Sequence, residues 1–175
     1  NCKRIVEIGT QPFAPTDELY EGYGMSTINL GKWANRIGAD FHSIDIEHSH
    51  IENSTKICAD AGVTGNFWVD DGSAWLKRWD KNLKIDFLYL DNASDPKYTL
   101  EQFQLAEPLM SEESIIVLDD SHSDEWGFFS KATTTIPYAQ SKGYVVALMP
   151  AYNNSIMAII KKKWEIVNFL LSKGA

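Results

Sequence analysis

Short apolar runs alternate with stretches whose apolar positions recur at helical spacing, and the alternation covers most of the 175 residues. RIVEI (Arg4–Ile8) predicts a first strand, and STINLGKWANRI (Ser26–Ile37) a helix. DFHSID (Asp40–Asp45) predicts a second strand, followed by a helical stretch to about Ala61. NFWV (Asn66–Val69) reads as a short third strand, and SAWLKRW (73–79) as a short helix with Ser73 as its N-cap. IDFLYL (Ile85–Leu90) and SIIVL (114–118) are the clearest strand patterns, and they flank the amphipathic YTLEQFQLAEPLM (98–110). A helix is expected near 128–141. After it, GYVVALMP and NSIMAIIKK are separated only by AYN, the spacing of an antiparallel hairpin. The tail KKKWEIVNFLLSKGA (161–175) predicts a helix, basic and then apolar, that docks on the sheet or on a partner subunit; the second option would make a homodimer.

Strands that alternate with helices build a parallel sheet covered on both faces, and continuous apolar strands such as 114–118 fit that burial. The expected class is therefore α/β, one domain over 1–175, with a closing hairpin that adds an antiparallel strand at or near the edge. No internal repeat, low-complexity tract or linker interrupts it.

Composition narrows the partners. Hydrophobic residues make up 44% and charged residues 23%, ordinary for a soluble globular chain. The formal net charge of −8 argues against gripping phosphate backbones, so no nucleic-acid partner is expected. No apolar run approaches the roughly 18 residues of a membrane span, and no signal-peptide pattern precedes the first strand. Cys2 and Cys58 do not make a disulfide framework, so a reducing, cytoplasmic setting is expected.

In an open parallel sheet, ligands bind beyond the carboxyl ends of the strands. The first strand brings Glu7 and Gly9 there, and, after an interruption, Gly22, Gly24, Ser26 and Thr27. The second ends in Asp45, the third in DDGS (70–73), the fourth in DNASD (91–95) and the fifth in DDSH (119–122). Glycines let backbone approach a ligand, and a helix N-terminus offers free N–H groups. Asp45 stands where a carboxylate accepts both ribose hydroxyls of a nucleoside. Asp71 could accept from an adenine amino group, with Gly72 and Ser73 adding backbone and hydroxyl contacts. These features alone do not choose between a dinucleotide and S-adenosylmethionine, which share an adenosine half.

The first turn helps to choose. A dinucleotide site wants G-x-G-x-x-G joining strand to helix compactly, whereas Gly22 lies 13 positions after Gly9. VEIGT followed by GYGMST resembles the first motif of class I S-adenosylmethionine-dependent methyltransferases. SIDIE resembles their second motif, VDDGSAWL the adenine motif, IDFLYLD the fourth-strand motif, and the terminal hairpin the last two strands of that Rossmann-like fold. The resemblance covers nearly the whole chain. It implies S-adenosylmethionine as cofactor, bound by Glu7, Gly9, Gly24, Ser26, Thr27, Asp45, Asp71, Gly72, Ser73 and Asp91.

Asp91 and the pair Asp119–Asp120 follow what should be neighbouring strands, so their carboxylates should converge. Clustered carboxylates repel unless a cation neutralises them, and hard divalent ions such as Mg²⁺ or Ca²⁺ prefer oxygen ligands. FLYLDNASDPKY and IIVLDDSH resemble the metal-binding segments of catechol- and caffeoyl-CoA-type O-methyltransferases, with Asp120 standing where those have Asn; related macrolide and sugar O-methyltransferases use acidic pairs there. The resemblance implies a divalent cation, Mg²⁺, on Asp91, Asp119 and Asp120, and O-methylation of a small hydroxylated acceptor. The catechol-type enzymes carry a lysine three residues after the first metal Asp, where this chain has Ser94; Lys97 and His122 are the candidates to act with Asp91 in catalysis.

Several features also have plain readings. His48 and His50 fit a surface role better than metal binding, and Lys161–Lys163 fits a solvated helix start. Trp68 and Trp75 flank the adenine motif, where one could wall the purine. The stretch QPFAPTDEL (11–19) reads as an insertion in the cofactor loop that could act as a partial lid. Two other functions stay open: an NAD(P)-dependent Rossmann-fold oxidoreductase, and a non-catalytic binding protein on the methyltransferase fold.

Overall fold

A computed structural model describes residues 2–10, 25–92, 95–123, 127–128, 130–150 and 156–161. The expected lid at 11–19, Gly22 and Gly24, Ser94, the hairpin connection and the tail beyond Lys161 lie outside the described residues.

The strands are β1 (Arg4–Ile8), β2 (Asp40–Asp45), β3 (Asn66–Val69), β4 (Ile85–Leu90), β5 (Met110–Ser123), β6 (Gly127–Phe128), β7 (Val145–Pro150) and β8 (Ile156–Lys161). The helices are α1 (Ser26–Ile37), α2 (His48–Asp60), α3 (Gly72–Arg78), α4 (Pro96–Ala106) and α5 (Ala132–Ser141). They form one mixed sheet in the order β3-β2-β1-β4-β5-β8-β7, with β6 paired to β5 off that path. Strands β1 to β5 run parallel. β8 is antiparallel to both β5 and β7, so the hairpin places one antiparallel strand just inside the edge.

Adjacent strand residues point to opposite faces, and the core divides accordingly. Val6, Ile8, Leu88, Leu90, Ile116 and Leu118 pack with Leu76 of α3, Phe103 of α4 and Ile136 of α5. Ile5 and Phe41 pack on the other face with Ile28 of α1 and Ile57 and Cys58 of α2. Each fully buried aliphatic side chain contributes about 1.5–3 kcal/mol relative to exposure, so this two-sided burial fixes the register that carries the strand-end residues.

Four elements differ from the pattern-based reading, each for a local reason. α3 starts at Gly72 because Asp71, not Ser73, is its N-cap: the Asp71 carboxylate accepts from the Ala74 N–H at 2.7 Å. α4 starts at Pro96, capped by Asp95, and ends in a single 3-10 turn, Glu107–Leu109, where Pro108 cannot continue the α-helical bonding. β5 is far longer than 114–118, because β4, β8 and β6 each pair with part of it. The helix expected near 128–141 begins only at Ala132; Gly127–Phe128 is a short strand against β5. Among the described residues, no helix is long and apolar enough to cross a membrane.

Candidate active site

The chain runs outward from β1 to β2 and β3, then returns to the other side of β1 at β4, so the crevice opens between the ends of β1 and β4. Gly9 sits there with φ +91°, and a Cβ on it would lie 2.0 Å from the Asp91 carbonyl oxygen. Only glycine permits that backbone and that approach. A cleft of about 420 Å³ opens above it, lined among others by Gly9, Asp45, Ile46, Gly72, Asp91 and Asn92.

Asp45 is held in one orientation at the cleft. Its Oδ2 accepts from the Thr10 N–H at 3.0 Å and its Oδ1 from the Glu47 N–H at 2.8 Å, which fixes the carboxylate plane at the cleft wall. His50, also in the wall, has Nδ1 3.3 Å from Asp45 Oδ2 without the alignment of a hydrogen bond. Its neighbour His48 is exposed and pairs with Glu52, a surface role. Ile46 is 66% exposed, a large apolar side chain held open at the cleft rather than buried. Neither Trp68 nor Trp75 is part of that wall. Trp75 packs in the core against Trp79, and Trp68 stacks on His42 at the outer strand.

Glu7 is turned away from the cleft. It is fully buried, and its carboxylate accepts from Ser26 Oγ at 2.8 Å and Ser43 Oγ at 2.7 Å. Burial outweighs these hydroxyls and raises its pKa to about 7. Thr27 is likewise buried, its hydroxyl 3.1 Å from that of Thr10, which in turn meets Ser54. So Glu7, Ser26 and Thr27 fasten the start of α1 to the ends of β1 and β2. Asp71 serves α3: besides capping it, the carboxylate accepts from Tyr98 Oη at 2.6 Å, and that hydrogen bond lowers its pKa. Gly72 lines the cleft, whereas the Ser73 hydroxyl is buried without a hydrogen-bond partner.

On the other side, Asp91, Asp119 and Asp120 converge: one ligand atom from each lies within 4.8 Å of the others. The bend that brings Asp120 in places it at φ +45°, a left-handed conformation Asp tolerates, with its N–H bonded to Asp119 Oδ1 at 3.0 Å. Burial raises the pKa of Asp91, Lys131 opposes that shift, and Asp119 and Asp120 add to it. Beneath them the Tyr89 hydroxyl is pushed well up by burial and by the charges of Asp119 and Asp91. The oxygen-only donor set fits a hard divalent cation.

Among the described residues, the lysine at this cluster is not Lys97, which is exposed in the first turn of α4. It is Lys131, buried ahead of α5, whose Nζ donates to Asp91 Oδ1 at 3.1 Å and to the Asn92 carbonyl at 3.3 Å. Pattern reasoning missed it, since a lone lysine before an apolar helix carries no mark of a partner forty residues away. His122 stands two residues beyond Asp120 on β5.

Residues 21–121, well over half of the chain, match the family model described as a methyltransferase domain. No curated protein matches by sequence. Among solved structures, the chain is similar to the O-methyltransferase TomG from Streptomyces achromogenes, involved in tomaymycin synthesis and determined in complex with SAM. That match has 18% identity and TM-score 0.66, over 92% of this chain and 74% of that one. A protein from Corynebacterium glutamicum matches at 15% identity and TM-score 0.66, over 92% and 73%. An rRNA methylase from Streptococcus thermophilus matches at 13% identity and TM-score 0.63, over 93% and 88%. Such likenesses establish a shared fold.

Proposed function

The chain belongs to the methyltransferase domain family, and from that premise we propose that it uses S-adenosylmethionine to methylate a hydroxyl of a small acceptor, assisted by a divalent cation. The observation that carries this reading is that Asp91 lines the cleft and also belongs to the three-carboxylate cluster, so cofactor and cation would meet at one residue.

The cleft fits the cofactor. Asp45, held by two backbone N–H groups at the cleft wall, keeps a second lone pair on each oxygen for ribose hydroxyls. Ile46 offers apolar surface to a purine face, and the Gly72 backbone lines the cleft beside it. When bound, S-adenosylmethionine would supply an electrophilic methyl to the acceptor oxygen, the sulfonium sulfur keeping the C–S electron pair and the hydroxyl proton passing to solvent. Asp91, Asp119 and Asp120 would hold the cation, which lowers the pKa of a coordinated hydroxyl. What the chain itself contributes is position: Gly9 brings the Asp91 backbone against β1, and Asp91 spans the two halves of the site.

Titration with S-adenosylhomocysteine and with NAD tests the cofactor. Binding of the first and not the second is expected, and the reverse preference would return the chain to the oxidoreductase reading. Methyl transfer from radiolabelled cofactor to a panel of hydroxylated acceptors, with Mg²⁺ or with EDTA, tests the rest. Transfer that is insensitive to EDTA, or directed only to RNA, would refute it.

A further inference from the structure

Lys131 has no part in the reading above, yet its side chain is only 2% exposed. Burying an ammonium is costly unless opposite charge and acceptors receive it. Here Asp91 Oδ1 and the Asn92 carbonyl do so, and both flank the end of β4. Fully ionised, the three carboxylates would place three negative charges in one small volume. With the ammonium alongside, the site would carry two, the charge that one divalent cation balances.

We infer that Lys131 is the built-in counter-ion of the aspartate cluster: it holds Asp91 in place and opposes the incoming divalent cation, and so sets how tightly metal is held. The inference rests on the proposed cation site. Lys131 engages one oxygen of Asp91, leaving the other for a ligand, while its positive charge repels any cation that joins the cluster. The site is thereby preorganised without metal, at the expense of affinity for it.

The test is Mn²⁺ binding to the full chain, followed by electron paramagnetic resonance, for wild type, Lys131→Gln and Lys131→Arg. Removing a unit charge beside a divalent ion is worth on the order of tenfold in affinity, so Lys131→Gln should bind Mn²⁺ about tenfold more tightly. Lys131→Arg, which keeps the charge, should stay within about twofold of wild type. A merely structural lysine would give equal or weaker binding in Lys131→Gln, and that result overturns the inference while wild-type Mn²⁺ binding leaves the cation site standing. If no form binds Mn²⁺, the cation reading and this inference fall together. Should Lys131→Gln not fold in EDTA, Mn²⁺ is expected to restore its thermal transition, and no recovery would also overturn the role.

Discussion

Gly9→Ala probes the junction on which the site depends. The added Cβ would lie 2.0 Å from the Asp91 carbonyl oxygen, 2.5 Å from its carbon and 3.0 Å from the Asn92 nitrogen, where ordinary contact begins near 3.4 Å. All three neighbours are backbone, so relief requires the ends of β1 and β4 to part by more than an ångström. The flanking ladder resists this: the Asp91 N–H donates to the Ile8 carbonyl at 2.8 Å, and the Gly9 N–H to the Ile44 carbonyl at 2.9 Å. The positive φ adds roughly 1–2 kcal/mol and the crowding about 1–3 kcal/mol, for a total of about 2–5 kcal/mol. That is a large share of the ~5–15 kcal/mol of a typical domain, and for this chain length corresponds to roughly 4–20 °C in Tm. Urea unfolding followed by circular dichroism gives the loss directly, and calorimetric titration should show S-adenosylhomocysteine affinity falling at least about tenfold, since Asp91 and Asn92 both wall the cleft. A variant within about 1 kcal/mol of wild type and with unchanged affinity would refute the close approach of the two strand ends.

Asp91→Asn and Asp119→Asn should each lower methyl transfer by about 10²-fold or more and abolish its response to Mg²⁺; unchanged turnover and metal dependence would remove the cation from the account. Lys97→Ala, at an exposed position, should leave turnover within about twofold, and a collapse would restore Lys97 as a candidate base. Glu7 has a folded-state pKa of about 7, above its unfolded value, so the folded state holds the proton more tightly and the group costs stability as pH rises between roughly 4.5 and 7. Glu7→Gln should therefore gain on wild type by about 2–3 kcal/mol between pH 5 and pH 8 in urea unfolding, and parallel pH profiles would contradict the buried protonated carboxyl.

The alternation of apolar patterns made the sheet legible. β1, β2, β3, β4 and α1 occupy the residues the periodicity predicted, because each is set by its own run of apolar residues. Boundaries drifted where neighbours decide them: β5 is extended by its partners, and α3 begins where Asp71 rather than Ser73 supplies the cap. The convergence of Asp91 with Asp119 and Asp120 followed from strand order alone. What could not be read were side-chain directions and distant pairings. Glu7 follows the strand-end pattern yet turns into the core toward Ser26 and Ser43, Ile46 rather than a tryptophan is left open at the cleft, and Lys131 reaches Asp91 only once α5 has packed across the sheet.

If Asp91 joins a nucleoside cleft to a cation site, a crystal soaked with S-adenosylhomocysteine and Mn²⁺ and measured at the manganese absorption edge should show both ligands around it. An anomalous peak is expected among Asp91, Asp119 and Asp120, with the nucleoside lying along Asp45, Ile46 and Gly72. No peak at those carboxylates, or a nucleoside bound elsewhere, would contradict it.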